Sequence, residues 1–550
     1  MKLPAWAALA LAACASAAGP SDTPPEAYAR YLEGKILLEE GEAHRAVTAF
    51  QRAAVAAGGS AEPRIAAADA LLQAGRPALA LAEAETVVAG WPDEPRGWAL
   101  LGRIRAHQGD LVGGAQALER AVALDATNEG SHLALASIYR RLRRATDAVA
   151  IYRRMVASLP ASAEGHFRLG QALAGLRLLD EASDELGRAV AIDPDHIDAQ
   201  LVWAEVARQK GETSRAEEIL RIAYQRSGDS PYVGERLYHV LLEAGRRDAA
   251  LELLHNMDGE GRDARVRMRV AHFFLQLHRP AEALSIAAAL PGGALIRAQA
   301  LARLGRTQEA VQVCRDVLPE TEAFADARAL AGEILARAGA PADGLALVEE
   351  AARLERSQLG RRKLAVAQAE ILERLGAVAR ARDVLDAALR EAPADESVAF
   401  ARARLAEHAG DPDGAVDIMR RVLDRDADNV LALNYIGMSY ADRGVRLDAS
   451  ERLLRRALQL VPDDGTVLDS YGWLLFQRGD LAAAADLLER ADRLAPFEPE
   501  ILFHLGELYL RRGEARRAAE KFREALALDP DARVRLRLEE RVRTLEARGP

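Results

Sequence analysis

Apolar residues in this chain come in short runs with helical spacing, and the runs themselves recur at a fixed distance. Near the end, Leu502, Leu505, Gly506, Tyr509, Gly513, Ala518, Phe522, Ala525 and Pro530 follow the order L-x2-L-G-x2-Y, then G, then A-x3-F-x2-A, then P. One unit back, Leu468, Tyr471, Gly472, Gly479, Ala484, Leu488, Ala491 and Pro496 repeat the skeleton. Far upstream, Trp98, Leu101, Gly102, Gly109, Leu118 and Ala121 do so again, with Gly114 in place of the Ala. The turn residues set the register: Gly41, Gly75 and Gly109 are 34 residues apart, Arg143 and Arg177 hold the next two places, and Gly211 and Gly245 return on the same spacing. Gly305 and Gly339 are again 34 apart, as are Gly376, Gly410 and Gly444. Periodicity of this length means stacked supersecondary units. The count is 15 units between about Glu26 and Pro530, each predicted to be two helices joined by a tight turn.

Each conserved-looking place in the unit has a physical reason. The turn residue takes the left-handed conformation that ends the first helix, which glycine adopts freely. A small residue at the eighth position, such as Gly170 or Gly506, lets the second helix approach, and an Ala at the twentieth, such as Ala182 or Ala518, is the matching flat spot. Pro92, Pro160, Pro194, Pro393, Pro462, Pro496 and Pro530 stop the second helix. One hairpin cannot bury its apolar face alone, so neighbours must stack. The register slips in three places. His278 follows Gly245 by 33 residues and Gly305 follows 27 later, with Pro291-Gly292-Gly293 at the break; three extra residues lie near Arg356 to Arg361; and one extra residue after Gly444 puts Ser450 where Ala is usual. These read as loop variation or, at Pro291, as a hinge between two arms. Beyond Pro530, residues 531–550 interleave Arg and Glu with Val534, Leu536, Leu538, Val542 and Leu545, as a polar end-cap does.

These motifs resemble the tetratricopeptide repeat, over nearly the whole chain. The resemblance implies an all-α, right-handed superhelical solenoid with a concave groove lined by first helices at their second, fifth, ninth and twelfth positions. On the last four units those positions give Phe400, Met438, Trp473, Phe476, Phe503 and Leu510, among Asn434, Asp469, Glu407, Glu500, Glu507 and Arg511. Aromatic and Met side chains ringed by charge suit a peptide-binding groove. The competing reading is that Trp473 and Phe476 pack against the next helix. The upstream groove is more polar, with Arg96, Arg103, Arg140, Glu164, Asp198 and Glu205. The Lys/Asn pattern of tetratricopeptide domains that clamp C-terminal carboxylates is not matched. The stretch from Leu433-Asn434-Tyr435-Ile436-Gly437 through Trp473 resembles a common bacterial tetratricopeptide subtype.

The chain opens Met1-Lys2, then runs apolar to Ala13, the shape of a secretory signal. Leu11-Ala12-Ala13-Cys14 resembles the lipobox of bacterial lipoproteins, which implies cleavage before Cys14 and a lipid on its thiol. Ala15-Ser16, with no Asp, implies the outer membrane. Two readings stay open beside this: cleavage after Ala15-Ser16-Ala17 to leave a free periplasmic protein, or a first helix of a cytoplasmic solenoid. Gly19 to Pro25 reads as an extended linker. The expected domains are 1–14 signal, 15–25 linker, 26–290 and 291–530 repeat arrays, and 531–550 cap.

Composition sharpens this in a few respects. Of 550 residues 50 % are hydrophobic but only 5 % aromatic, which suits many thin helical layers better than a few bulky cores. The net charge of -10, from 73 basic and 83 acidic residues, gives no general attraction to nucleic acid. Two cysteines, Cys14 and Cys314, exclude a disulfide framework; Cys314 takes the place of Phe522 and reads as a small buried hydrophobe. No metalloprotease, phosphate-loop, dinucleotide or nucleophile-elbow motif occurs. His239 and His272, with Glu205 and Glu243, read as solvated groove residues before they read as metal ligands. The cluster Arg140, Arg141, Arg143, Arg144, Arg153 and Arg154 reads as a solvated turn or a dock for an acidic partner. The expectation is a non-enzymatic scaffold without cofactor, metal, nucleic acid or small-molecule substrate. It would hold protein partners in its groove, lipid-anchored at Cys14 as an envelope assembly factor of the pilus, secretion or exopolysaccharide-export kind. A soluble adaptor and an enzyme-associated module are the alternatives.

Overall fold

The computed structural model describes residues 25–259, 261–528, 530 and 532–547. Cys14 and the expected signal lie outside the described residues. Among the described residues there are 31 helices and no strand. They form fifteen hairpins, from Pro25–Glu39 with Ala43–Ala57 to Pro499–Arg511 with Ala515–Ala527, followed by a last helix Ala532–Ala547. The unit count and the helical class are as the sequence predicts. Pro25 is the first residue of the first helix rather than the end of a linker. At that place a missing N–H costs nothing.

Local chemistry sets the helix limits. Asn128 accepts from the Ser131 amide at 2.9 Å and Ser162 from the Gly165 amide at 2.8 Å, so both first helices are capped by short polar side chains. At the other end, the Asp110 amide donates to Arg105 O at 3.0 Å and the Gly109 amide to Ala106 O at 3.3 Å, a Schellman stop with Gly109 at φ 92°. The turn position of every hairpin is left-handed, including Arg143 (φ 58°), Arg177 (61°) and His278 (55°), which carry side chains there.

The helices of each hairpin close on small residues. A Cβ built on Gly102 would lie 2.6 Å from Leu118 Cγ and 2.8 Å from Gly114 O. The seventh hairpin departs from this rule. Tyr238 fills the eighth position of the helix Pro231–Glu243, wholly buried, and stacks on Phe273 of the next hairpin at 4.3 Å and 23°.

Two of the register slips change helix lengths, and the extra residue after Gly444 is taken up in the turn, where Arg446 is also left-handed at φ 49°. The second helices Pro280–Ala288 and Thr307–Arg315 have 9 residues where most have 13 or 14. The three extra residues before Gly376 lengthen a first helix, Gln358–Arg374, to 17 residues. Ser450, in the place of Ala, donates from Oγ to Gly437 O at 2.7 Å, so its buried hydroxyl is satisfied.

The chain divides into two compact units after Gly228. The break at Pro291-Gly292-Gly293 falls inside the second unit, where the flanking helices Pro280–Ala288 and Ala294–Arg303 pack on each other. The last helix lays Val534 and Leu538, with Val542 and Leu545 beside them, on the core of the final hairpins, and leaves Leu536 exposed.

Candidate groove of the second unit

Four first helices, Glu396–His408, Val430–Asp442, Gly465–Arg478 and Pro499–Arg511, carry the residues that the repeat register assigns to a groove. The structure sorts those residues by what covers them. Phe400 is half-buried and meets Tyr435 edge-on at 5.6 Å and 80°. Met438 and Phe476 are half-buried in one cluster with Trp473. Trp473 itself is only 5 % exposed. Phe476 lies on one face at 4.7 Å and 12°, and His504 of the next hairpin stacks on it at 4.2 Å and 22°. Phe503 is 4 % exposed, because the last helix places the Arg537 guanidinium 4.0 Å from its ring centroid. Trp473 and Phe503 are therefore packing residues between successive hairpins, and Phe400, Met438 and Phe476 form the accessible apolar part.

Two polar pairs escaped the sequence reading. The Asp469 carboxylate lies 2.9 Å from His504 Nδ1 through each of its oxygens, and both residues are buried. Burial alone would push His504 down. The charge of Asp469 and its hydrogen bond more than offset this, so the imidazole is held above its usual value. Tyr435 donates to Glu407 at 2.7 Å, and burial first, then that carboxylate, pushes its hydroxyl far up. The two members of the Asp469–His504 pair stand 35 residues apart, one more than the repeat, and only that spacing signals them.

Charges at groove positions are paired laterally from hairpin to hairpin. Arg103 meets Asp69 at 3.1 Å, Arg269 meets Glu235 at 2.7 Å and Arg541 meets Glu507 at 2.6 Å, each over 34 residues. Arg96 pairs with Glu62 and Arg404 with Glu370 at the same separation. Exposed pairs of this sort add little stability. Their effect is to neutralise the helix faces that would otherwise repel or attract a partner by charge alone. Within the first unit, Glu164 pairs with Arg168 at 2.6 Å and Glu205 with Arg208 at 2.8 Å. A cavity of about 670 Å³ there is lined by Glu129, Glu164, Asp193, Asp195 and Asp198 around His196.

The remaining candidates are placed as follows. His239 meets the Phe273 ring edge-on at 5.8 Å, and His272 lies 3.3 Å from Gln276 Nε2. No group of three His, Cys, Asp or Glu that could hold a metal occurs among the described residues. In the arginine cluster, Arg144 pairs with Asp147 at 2.6 Å and covers the Tyr139 ring, Arg153 pairs with Glu181 at 2.5 Å, and Arg141 donates to Ala106 O at 3.2 Å. Cys314 is buried, and burial pushes its thiol up to about 11, which makes it a poor nucleophile. No helix among the described residues is long and apolar enough to cross a membrane.

Comparison with known proteins agrees with this geometry. The family model described as Tetratricopeptide repeat matches residues 65–129, 133–197, 400–465, 435–499 and 472–533. A TPR repeat-containing protein of Pseudomonas aeruginosa is 34 % identical over 122 residues, which are 22 % of this chain and 21 % of that protein. Cellulose synthase operon protein C of Xanthomonas axonopodis pv. citri is 25 % identical over 367 residues, 60 % of this chain and 24 % of that protein. The matches thus span about a fifth and about a quarter of those relatives. Among solved structures, a tetratricopeptide repeat protein from Parabacteroides merdae is similar at 16 % identity and TM-score 0.34, over 52 % of this chain and 98 % of that one. YrrB, described as a TPR protein with an unusual peptide-binding site, is similar at 21 % identity and TM-score 0.29, over 34 % and 95 %.

Proposed function

Because this chain is a tetratricopeptide-repeat protein, we infer that it works as a non-catalytic scaffold that holds protein partners along its first-helix faces. One observation carries this reading. Hairpin follows hairpin from Pro25 to Ala527, so among the described residues no separate body is left to house a catalytic site. The accessible apolar side chains Phe400, Met438 and Phe476, set among laterally neutralised charges, suit a partner segment recognised by apolar contact. The further reading is an envelope assembly factor, lipid-anchored at Cys14 and facing the periplasm from the outer membrane. The Leu11-Ala12-Ala13-Cys14 sequence supports the anchor. The similarity to a cellulose synthase operon protein supports the exopolysaccharide-export branch over pilus or secretion work.

Two experiments test this. A photo-crosslinking amino acid at Met438 or Phe476 should give a discrete adduct with an envelope protein, whereas one at exposed Arg452, on a second helix, should not. Equal labelling from both faces would sink the groove reading. For the anchor, Cys14→Ser should move the protein from the membrane pellet to the soluble fraction; recovery of the unsubstituted protein and the variant alike in the soluble fraction would overturn the lipid anchor and favour the soluble adaptor.

A further inference from the structure

In the second unit the run of hairpins returns on itself. The helix Pro231–Glu243, of the seventh hairpin, packs against the helix Leu481–Leu494, of the fourteenth. Beside this crossing lies Phe497, in the link Pro496-Phe497-Glu498-Pro499. Its ring faces the Arg247 guanidinium at 4.4 Å and the His278 ring at 4.8 Å, and Arg247 reaches to 3.9 Å from Glu524.

The backbone marks this contact as unusual. Phe497 is at φ 71° and His278 at φ 55°. His278 holds the turn position that is left-handed in every hairpin, whereas Phe497, 219 positions away and touching it ring to ring, stands at no such position. A bulky residue is held in that conformation only when its surroundings over-determine it. Nothing in the repeat pattern asks for it: the equivalent residue two units earlier, Asp428, has no positive φ. The ring's partners on the seventh and eighth hairpins are what the distorted link serves.

We propose that Phe497, with Arg247 and His278, is a clasp that closes the second unit on itself and controls side access to the first helices it encloses. The claim rests on the groove reading, since those enclosed helices carry Phe400 and Met438. The contact is small and its arginine and histidine are exposed, so it opens more readily than the buried seams that join the last hairpins of the unit to one another. A partner segment then enters by one of two routes: end-first while the clasp is shut, or sideways once it is open.

The test uses the full chain with Cys14→Ser and spin labels at Arg236→Cys and Asp486→Cys. Both positions are exposed, one on each of the crossing helices. Buried Cys314 stays unlabelled. The expected result is one short, narrow distance between labels. Phe497→Ala should lengthen and broaden it without loss of helix content, and should speed adduct formation from a photo-crosslinker at Met438. Phe497→Gly, which removes the backbone strain along with the ring, should behave like Phe497→Ala, because the ring makes the clasp. A distance unmoved by Phe497→Ala combined with Arg247→Ala would overturn the proposal, as would a longer distance with unchanged crosslinking rate. Absence of any Met438 adduct in all variants would sink the groove reading instead, and the label distance alone would then decide whether the clasp exists.

Discussion

At Arg143 the repeat places a long charged side chain in a backbone conformation that glycine holds in most other hairpins of the chain (φ 58°). The left-handed conformation costs a side-chain-bearing residue about 1–2 kcal/mol, while glycine loses roughly 0.5–1 kcal/mol more chain entropy on folding. The balance favours glycine, so Arg143→Gly should raise stability by about 0.5–1 kcal/mol, read as a higher urea midpoint with unchanged slope. The opposite sign is expected at Gly102, where a new Cβ would meet both Leu118 and the Gly114 carbonyl, and backbone cannot move aside as a side chain can. Gly102→Val should cost about 1–3 kcal/mol, as overpacking does. The buried Asp469–His504 pair gives a pH signature. His504 is held above its unfolded value, so its contribution is fully present below about pH 6.5 and is lost as pH rises through the raised folded value. A urea midpoint reported by the second unit should therefore fall as pH rises above 6.5 in the natural sequence. Asp469→Asn should lower the midpoint at pH 6 and flatten the slope. A slope that survives the substitution would assign the effect to another group.

Elements explain why the fold could be read from the sequence and the groove only in part. Turn, small and proline positions fix each hairpin from within its own unit, so fifteen hairpins follow from local spacing alone. Exposure depends on the next unit. Trp473 stands at a groove position in the register, yet it is covered by His504 from the following hairpin and Phe476 from its own helix. Phe503 is covered by Arg537 of the closing helix, which places Arg541 opposite Glu507 just as a sixteenth first helix would. Helical periodicity says which face a residue is on, not whether a neighbour's ring or guanidinium lies over that face. Tyr238 is the converse case: a small-residue position filled by a large ring, tolerated because the ring turns to Phe273 of the next hairpin. The closing helix thus covers part of the last hairpin, packing chiefly on Ala515–Ala527 and reaching Phe503 and Glu507 of the first helix. Truncation after Pro530 removes buried Val534 and Leu538 and should cost about 3–6 kcal/mol on burial alone. Hydrogen exchange should show protection falling first in Ala515–Ala527 and Pro499–Arg511, the helices it packs on, with the hairpins of the first unit unaffected. Uniform loss of protection along the chain would mean that the cap stabilises through something other than contact.

For the molecule as a whole, stability is a chain of nearest-neighbour terms rather than one core, since each hairpin buries its apolar face mainly on the hairpins before and after it. Such an array need not unfold as one cooperative body, and the division after Gly228 sets where cooperativity should break. Gly102 belongs to the third hairpin and Trp473 to the fourteenth, on opposite sides of that division. Trp473 is the one tryptophan in residues 229–550, so replacing Trp6, Trp91, Trp98 and Trp203 with Phe leaves its emission to report the second unit once unfolding parts it from His504 and Phe476. Gly102→Val placed in this background should shift the loss of protection in Pro95–His107 and Leu111–Leu124 to lower urea. The transition seen by Trp473, which belongs to the other compact unit, should stay where it was. Equal shifts of both transitions would mean that the two units unfold as one. A clasp that ties the seventh hairpin to the fourteenth predicts a further asymmetry within the second unit. Loosening the hairpin Pro231–Glu243 with Arg247–Met257 should be felt at Trp473 directly, across the return contact, before it is felt at the intervening hairpin of Phe324–Arg337.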